Sequence, residues 1–276
     1  MEKTSNKKRE VYLDILRIIA CGFVIFNHCE GFELYKASSA FKPIHLLFSI
    51  FASCAVPIFF MISGALLLKK QEDYKTVFKK RIKKIALALI SVELLMYILN
   101  FLKATIKNEN YVIGVLDFII RALKLDMPGV VPYWFLFSYL GFLLMLPILQ
   151  KLVKTVDKAD VKLIVLLRLL LEVLLPLINY ILLRFNISTI ANEYFAISIA
   201  TADNIFYPLI GYYLSTYYDG KSKRKETILM TSAIIVFALA FGFAFNNISI
   251  LKAFVSCFIF VFVKNMSVYV SVSSEI

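Results

Sequence analysis

Charge is scarce in this sequence: of 276 residues 18% are Asp, Glu, Lys or Arg, while 60% are hydrophobic and 15% aromatic. A soluble domain of this length carries more charge, so water is excluded as the main solvent. Acid is scarcer than base, with 19 Asp and Glu against 31 Lys and Arg and a formal net charge of +12. That excess would suggest nucleic acid, but the lysines bunch where apolar stretches end, as the positive-inside rule requires, and no nucleic-acid partner is expected. Cysteine is limited to Cys21, Cys29, Cys54 and Cys257, in or beside apolar stretches at irregular spacing. Such spacing offers neither a disulfide framework nor a zinc pattern, and no metal is expected. There is no internal repeat and no low-complexity tract. A lipoprotein-like Ile18-Ile19-Ala20-Cys21 follows the basic leader, yet Asp14 and Arg17 interrupt what would have to be a clean apolar region. An uncleaved first span is the better reading.

What the sequence does have is apolar runs of spanning length, since about 20 residues cross a hydrocarbon core of about 30 Å. The expected fold is an all-α polytopic bundle of about eight transmembrane helices with its N-terminus in the cytoplasm. Span one runs from about Val11 to Cys29 after the basic leader 1–10, span two from Ile44 to Leu68, and span three from Ile85 to Leu102. Asp117 and Arg121 mark a short interfacial helix in the following loop. Span four runs from Val130 to Leu149 and span five from Val161 to Leu183. Span six, Tyr194 to Tyr213, is cut by Thr201, Asp203 and Asn204 and contains Pro208 and Gly211, so it reads as broken or short. Spans seven (Ile228 to Phe245) and eight (Ile248 to Val263) precede a polar tail, 265–276. The whole of 1–276 reads as a single membrane domain. Eight basic residues crowd between Lys69 and Lys84, and 21 basic residues in all fall in segments read as cytoplasmic against 8 in outer ones. Inverting the topology would break the rule.

Ionisable groups inside hydrocarbon cost about 2.5–3.5 kcal/mol on insertion scales, so each points to function or to internal pairing. Arg17 and His28 are eleven residues apart. At 100° per residue that separation falls about 20° from three full turns, which puts both on one helix face about 16 Å apart along the axis. Asp14, one turn from Arg17, can pair with it. Cys21 and Val24 share the face, and Gly22 beside it permits close helix contact. The bland alternative makes Arg17 a snorkelling anchor and His28 an interfacial polar group. His28 is one of two histidines; the other, His45, sits at an interface. With an ordinary pKa of about 6.5, His28 could take a proton from a hydroxyl at neutral pH. Arg168 and Glu172, four apart, can satisfy each other. Glu93 has no partner in its own span and faces another helix or a cavity. Pro57 with Ser63-Gly64 combines a kink with a small-residue patch, for which a packing interface is the plain account. Tyr133-Trp134 opens span four at an interface, as an aromatic belt would.

At these residues the sequence resembles the acyltransferase 3 family of polytopic membrane O-acyltransferases. The carriers are Tyr12-Leu13-Asp14-Ile15-Leu16-Arg17 with His28, Val56 through Gly64, the basic run around Arg81, Trp134-Phe135-Leu136, and Tyr207 through Leu214 with Gly211. The resemblance implies transfer of an acyl group, usually acetyl from acetyl-CoA as donor substrate, to a hydroxyl of a surface polysaccharide, lipid-linked glycan or peptidoglycan. It implies a catalytic role for His28, supported by Asp14, Arg17, Ser63 and Trp134, and donor binding by Arg81 and Lys84. Lys84 stands where the family usually has a second arginine, keeping the charge and losing the bidentate fork. Tyr133 stands where the family often has a histidine. A multi-pass place in a bacterial plasma membrane, among membrane lipids and with no tightly bound cofactor, follows from the same resemblance. The family commonly has about ten spans, so a chain of eight looks C-terminally short. Two rivals stand beside the enzyme: a transporter or substrate-translocating module, whose permeation path would be lined by the same polar residues, and an inactive, shortened family member.

Overall fold

The computed structural model describes residues 10–28, 42–108, 114–124, 133–188, 202–218 and 248–273, and among them every regular element is a helix. In order these are α1 (Val11–His28), α2 (Lys42–Ser53), α3 (Ala55–Leu67), α4 (Tyr74–Val77), a π-helical turn (Phe78–Ile82), α5 (Lys83–Ile106), α6 (Val115–Lys124) and α7 (Trp134–Thr155). They are followed by α8 (Lys158–Leu169), a second π-helical turn (Leu170–Leu174), α9 (Leu175–Arg184), α10 (Asp203–Tyr217) and α11 (Ile248–Ser273). Among the described residues four stretches are long and apolar enough to cross a membrane: Val11–His28, Phe48–Leu67, Tyr74–Ile106 and Trp134–Thr155. Span seven and the basic loop Lys221 to Lys225 lie outside the described residues, as do the leader before Glu10 and the first part of span six. The segment read as a polar tail is helical as far as Ser273, with Asn265 buried.

The chain divides into two units, Met1–Lys69 with Val156–Ile276, and Lys70–Thr155. In the first, α3 and α10 meet through two glycines. A Cβ on Gly64 would collide with the carbonyl of Pro208, and one on Gly211 would collide with that of Met61. Each Cα–Cβ bond leans toward the N-terminus of its own helix. Each glycine meets the partner residue one turn before the other glycine, and the two helices run in the same direction, since Cys54 and Asp203 at their starts both meet Lys252. Lys69, just past α3, accordingly reaches Ser215 near the end of α10 (2.7 Å). Gly22, the glycine expected at a close contact, has nothing within 4 Å of its Cβ position, and the close approach falls to Gly64 and Gly211.

Proline places the break in span two one turn earlier than Pro57 itself. Having no N–H and a ring that clashes with the carbonyl four residues back, Pro57 cannot continue a helix through Ser53. The chain turns at Cys54, and α3 restarts with Ile58 donating to the Cys54 carbonyl at 2.9 Å. Pro176 does the same work in span five, where the wide turn Leu170–Leu174 precedes α9.

Polar contacts sort the first unit into two ends. Lys69 lies 3.8 Å from Glu10, while Lys264 donates to the carbonyls of Leu214, Ser215 and Tyr218 (2.8, 3.0 and 2.6 Å) and so satisfies the last turn of α10. At the other end Asn27 donates to the Ala52 carbonyl at 3.0 Å, and the Cys54 thiol faces the Lys252 carbonyl. Gly64→Ala or Gly211→Ala should each lower stability by at least about 2 kcal/mol, because the added methyl meets backbone that cannot turn aside. Thermal unfolding in detergent checks this, with Gly22→Ala as a control expected to melt like the parent.

Candidate functional site

Helix α1 buries Tyr12, Leu13, Leu16 and Ala20 and leaves Arg17, Cys21, Gly22, Ile25 and His28 on its exposed side. The face expected from helix arithmetic is therefore real, and it is the face turned away from the packing. Arg17 donates to Asp14 one turn back. The pair leaves the arginine side chain 45% exposed, so its charge is balanced without being sealed off. His28 is the last residue of α1 and is exposed. Arg17 stands in the half of the helix nearer Glu10 and Lys69, while His28 follows Asn27 at the end where α1 meets Ala52. Cys29 lies outside the described residues.

Ser63 directs its hydroxyl to the Phe59 carbonyl of its own helix at 2.9 Å. This back-bonding serves α3 itself, and the neighbouring Gly64 supplies the packing contact. His45 is within α2, its side chain outside the described residues.

The second unit holds the residues expected to meet the donor. Arg81 lies in the π-helical turn Phe78–Ile82, and Lys84 follows it on α5 with its side chain exposed. Arg81 gives both Nε and Nη2 to Glu72, each at 2.9 Å, a bidentate pair in which the side chains are 22% and 15% exposed. Glu72 is itself held: its N–H donates to the Gln150 side chain (2.9 Å), and Gln71 donates to the Gln150 carbonyl (3.0 Å). Gln150 is buried on α7, so the loop carrying Glu72 is fixed to that helix. Asp73 then accepts from the Thr76 N–H as the N-cap of α4. Sequence reasoning missed Glu72; its signal was two acidic residues, Glu72 and Asp73, inside a run of eight basic ones. Trp134 begins α7, half-exposed, as an interfacial aromatic would. Glu93 is buried on α5, and neither carboxylate oxygen has a hydrogen-bond partner among the described residues.

Arg168, within span five, is buried on α8 and pairs with Asp203 at the start of α10 (2.6 Å). Its guanidinium stacks 4.2 Å from the centre of the Phe206 ring. Asp203 also faces Lys252 of α11 at 3.4 Å. The side chain of Glu172, the partner expected from spacing, lies outside the described residues. Among the described residues no group of His, Cys, Asp and Glu is placed to hold a metal ion.

Apolar helices of spanning length mark a membrane protein. Comparison with protein families matches residues 10–272 to the acyltransferase domain of the acyltransferase 3 family. The chain belongs to that family, and its general role is that of an acyltransferase. No curated protein and no solved structure matches it.

Arg81 beside Glu72 holds the glutamate carboxyl below its usual range, chiefly through their hydrogen bonds. A lowered folded-state pKa contributes stability that is full above the unfolded glutamate value of about 4.3 and is lost as pH falls through the folded value. Glu72→Gln should cost about 1–2 kcal/mol at pH 7. The gap from the parent should close as pH is taken below the carboxylate range, and unfolding curves across pH 2–7 measure it.

Proposed function

We propose that the protein is a membrane-bound O-acyltransferase that moves an acetyl group from acetyl-CoA to a hydroxyl of a cell-surface polysaccharide, lipid-linked glycan or peptidoglycan. The observation that carries the reading is the exposed face of α1, with Arg17 and His28 on one side of one helix and far apart along it. In this reading the bundle has eight spans, the N-terminus is cytoplasmic, and the membrane is the plasma membrane of a bacterium.

The donor comes from the cytoplasm. Its phosphates are held by the basic stretch containing Arg81 and Lys84, and Arg17 supports the reaction from its own face of α1. Glu72 already takes the Nε and Nη2 edge of Arg81. A phosphate therefore either meets the other edge of the guanidinium or replaces Glu72, and Lys84 adds charge without a fork.

Near the outer face, His28 takes the proton of the acceptor hydroxyl, whose oxygen attacks the thioester carbonyl. The C–S bond breaks as the new C–O bond forms. The CoA thiolate leaves and the proton returns to it, so His28 ends as it began. Exposure of His28 suits this role, since a base must reach a large acceptor from outside.

His28→Ala should lower acetyl transfer at least about 100-fold at matched membrane levels. Undiminished transfer would end this proposal. Arg81→Gln should instead raise KM for acetyl-CoA with a smaller effect on kcat, as loss of binding common to ground and transition states does. Release of CoA thiol from acetyl-CoA by the purified protein separates the enzyme from a transporter or an inactive relative, both of which would release none.

A further inference from the structure

Outside the α1 face, the first unit contains a cavity of about 590 Å³ between α8, α10 and α11. Its wall is almost wholly apolar along its length, with Val165, Ile210, Leu214 and Phe254 prominent, while its two ends are chemically different. At one end Arg168 closes it, already paired with Asp203 and stacked on Phe206. At the other stand Lys158 and Lys162, one turn apart at the start of α8, with Tyr213 across from them on α10.

Neither lysine has an anionic partner among the described side-chain contacts. Lys158 lies 5.6 Å from the centre of the Tyr217 ring, and Lys162 is exposed. The nearest acids in sequence, Asp157 and Asp160, are committed to the helix end: Asp157 accepts from the N–H groups of Ala159 and Asp160, and Asp160 accepts from that of Asp157. Ten residues of α8 separate Lys158 from Arg168, about 15 Å along the axis. The trough is thus an apolar channel of membrane-lipid proportions with a cationic, tyrosine-flanked mouth.

A bilayer supplies one abundant molecule of that shape and charge. The outer surface of α8 and of the turn that follows it continues the apolar character with exposed Leu163, Leu166 and Leu170, so lipid reaches the trough sideways. Basic pockets between transmembrane helices at the cytoplasmic side hold anionic lipid headgroups. Lys158 and Lys162 also sit at the end of the unit marked by Glu10, Lys69 and Lys264, since Lys158 meets Tyr217 and Lys264 caps the same last turn of α10. We propose that this trough holds one acyl chain of an anionic phospholipid whose phosphate lies between Lys158 and Lys162, at a site separate from the α1 face.

The test uses the full-length protein, delipidated in detergent and supplied with dioleoylphosphatidylglycerol or dioleoylphosphatidylcholine, with bound lipid counted by native mass spectrometry. The parent should retain phosphatidylglycerol at least about tenfold better, and Lys158→Gln with Lys162→Gln should lose about fivefold per lysine. Ala253→Trp, which fills the trough from α11, should abolish the retained lipid while leaving the melting temperature in lipid-free detergent near the parent value. Soluble glycerol phosphate should not compete, because it has no chain to place in the apolar wall. Equal retention of the two lipids by the parent protein overturns the proposal without recourse to any variant. So does a preference that survives loss of both lysines. Retention undiminished by Ala253→Trp overturns it as well, since the lipid chain would then lie outside the trough.

Discussion

Gly64 and Gly211 set how closely α3 and α10 approach, and the first unit is organised around that approach. Backbone meets backbone there, so each helix presents a fixed surface to everything else that packs on it. In a membrane, where lipid is as apolar as leucine, close packing of small residues replaces the hydrophobic drive that water would provide. Buried Ile58, Met61 and Ala65 on α3 and Phe206, Tyr207 and Ile210 on α10 complete that surface. Helix α1 can then commit one face, Tyr12, Leu13, Leu16 and Ala20, to the bundle. The opposite face carries Arg17 and His28 at no cost in packing. A face on a helix with a rigid back is positioned more accurately than one on a loop.

The described charges of the first unit show how such a bundle tolerates ions. Arg168 is surrounded by a carboxylate and an aromatic face, and Asp203 serves two cations on two further helices. Removing one partner from such a group leaves a buried charge uncompensated, which costs more than the pair itself contributes. Lys264 works differently. It directs its charge to the carbonyls that the last turn of α10 cannot satisfy internally, which ties α11 to α10.

Local periodicity was legible in the sequence, and partner choice across helices was not. The eleven-residue spacing of Arg17 and His28 is a property of one helix, so 100° per residue was enough to place both on one face. The Asp14–Arg17 pair and the short helix bearing Asp117 and Arg121 were readable for the same reason. The pairing of Arg168 with Asp203 spans 35 residues and depends on how α8 meets α10, which no spacing rule encodes. Gly22 illustrates the limit well: small residues permit close contact, but which glycine is used depends on the partner's surface. Pro57 was read as the kink, whereas the steric clash with the carbonyl four residues back moves the break to Cys54.

Lysine and arginine divide the electrostatic work along this chain. Exposed lysines such as Lys79, Lys80, Lys83 and Lys84 act through number, and a point charge on a flexible stem suffices to bias which side of a membrane a segment stays on. Arg17, Arg81 and Arg168 each engage a carboxylate instead, from Asp14, Glu72 and Asp203. Their planar forks fix direction as well as charge. Exchanging arginine for lysine at these three places would leave the topology signal intact and remove the geometry. The distinction bears most on the basic turn of the second unit. There Lys84 is an exposed point charge, whereas Arg81 directs a pair of donors to a glutamate anchored to Gln150. Number and direction of charge are therefore carried by different residues of this stretch, and lysine at position 84 adds charge without a planar fork.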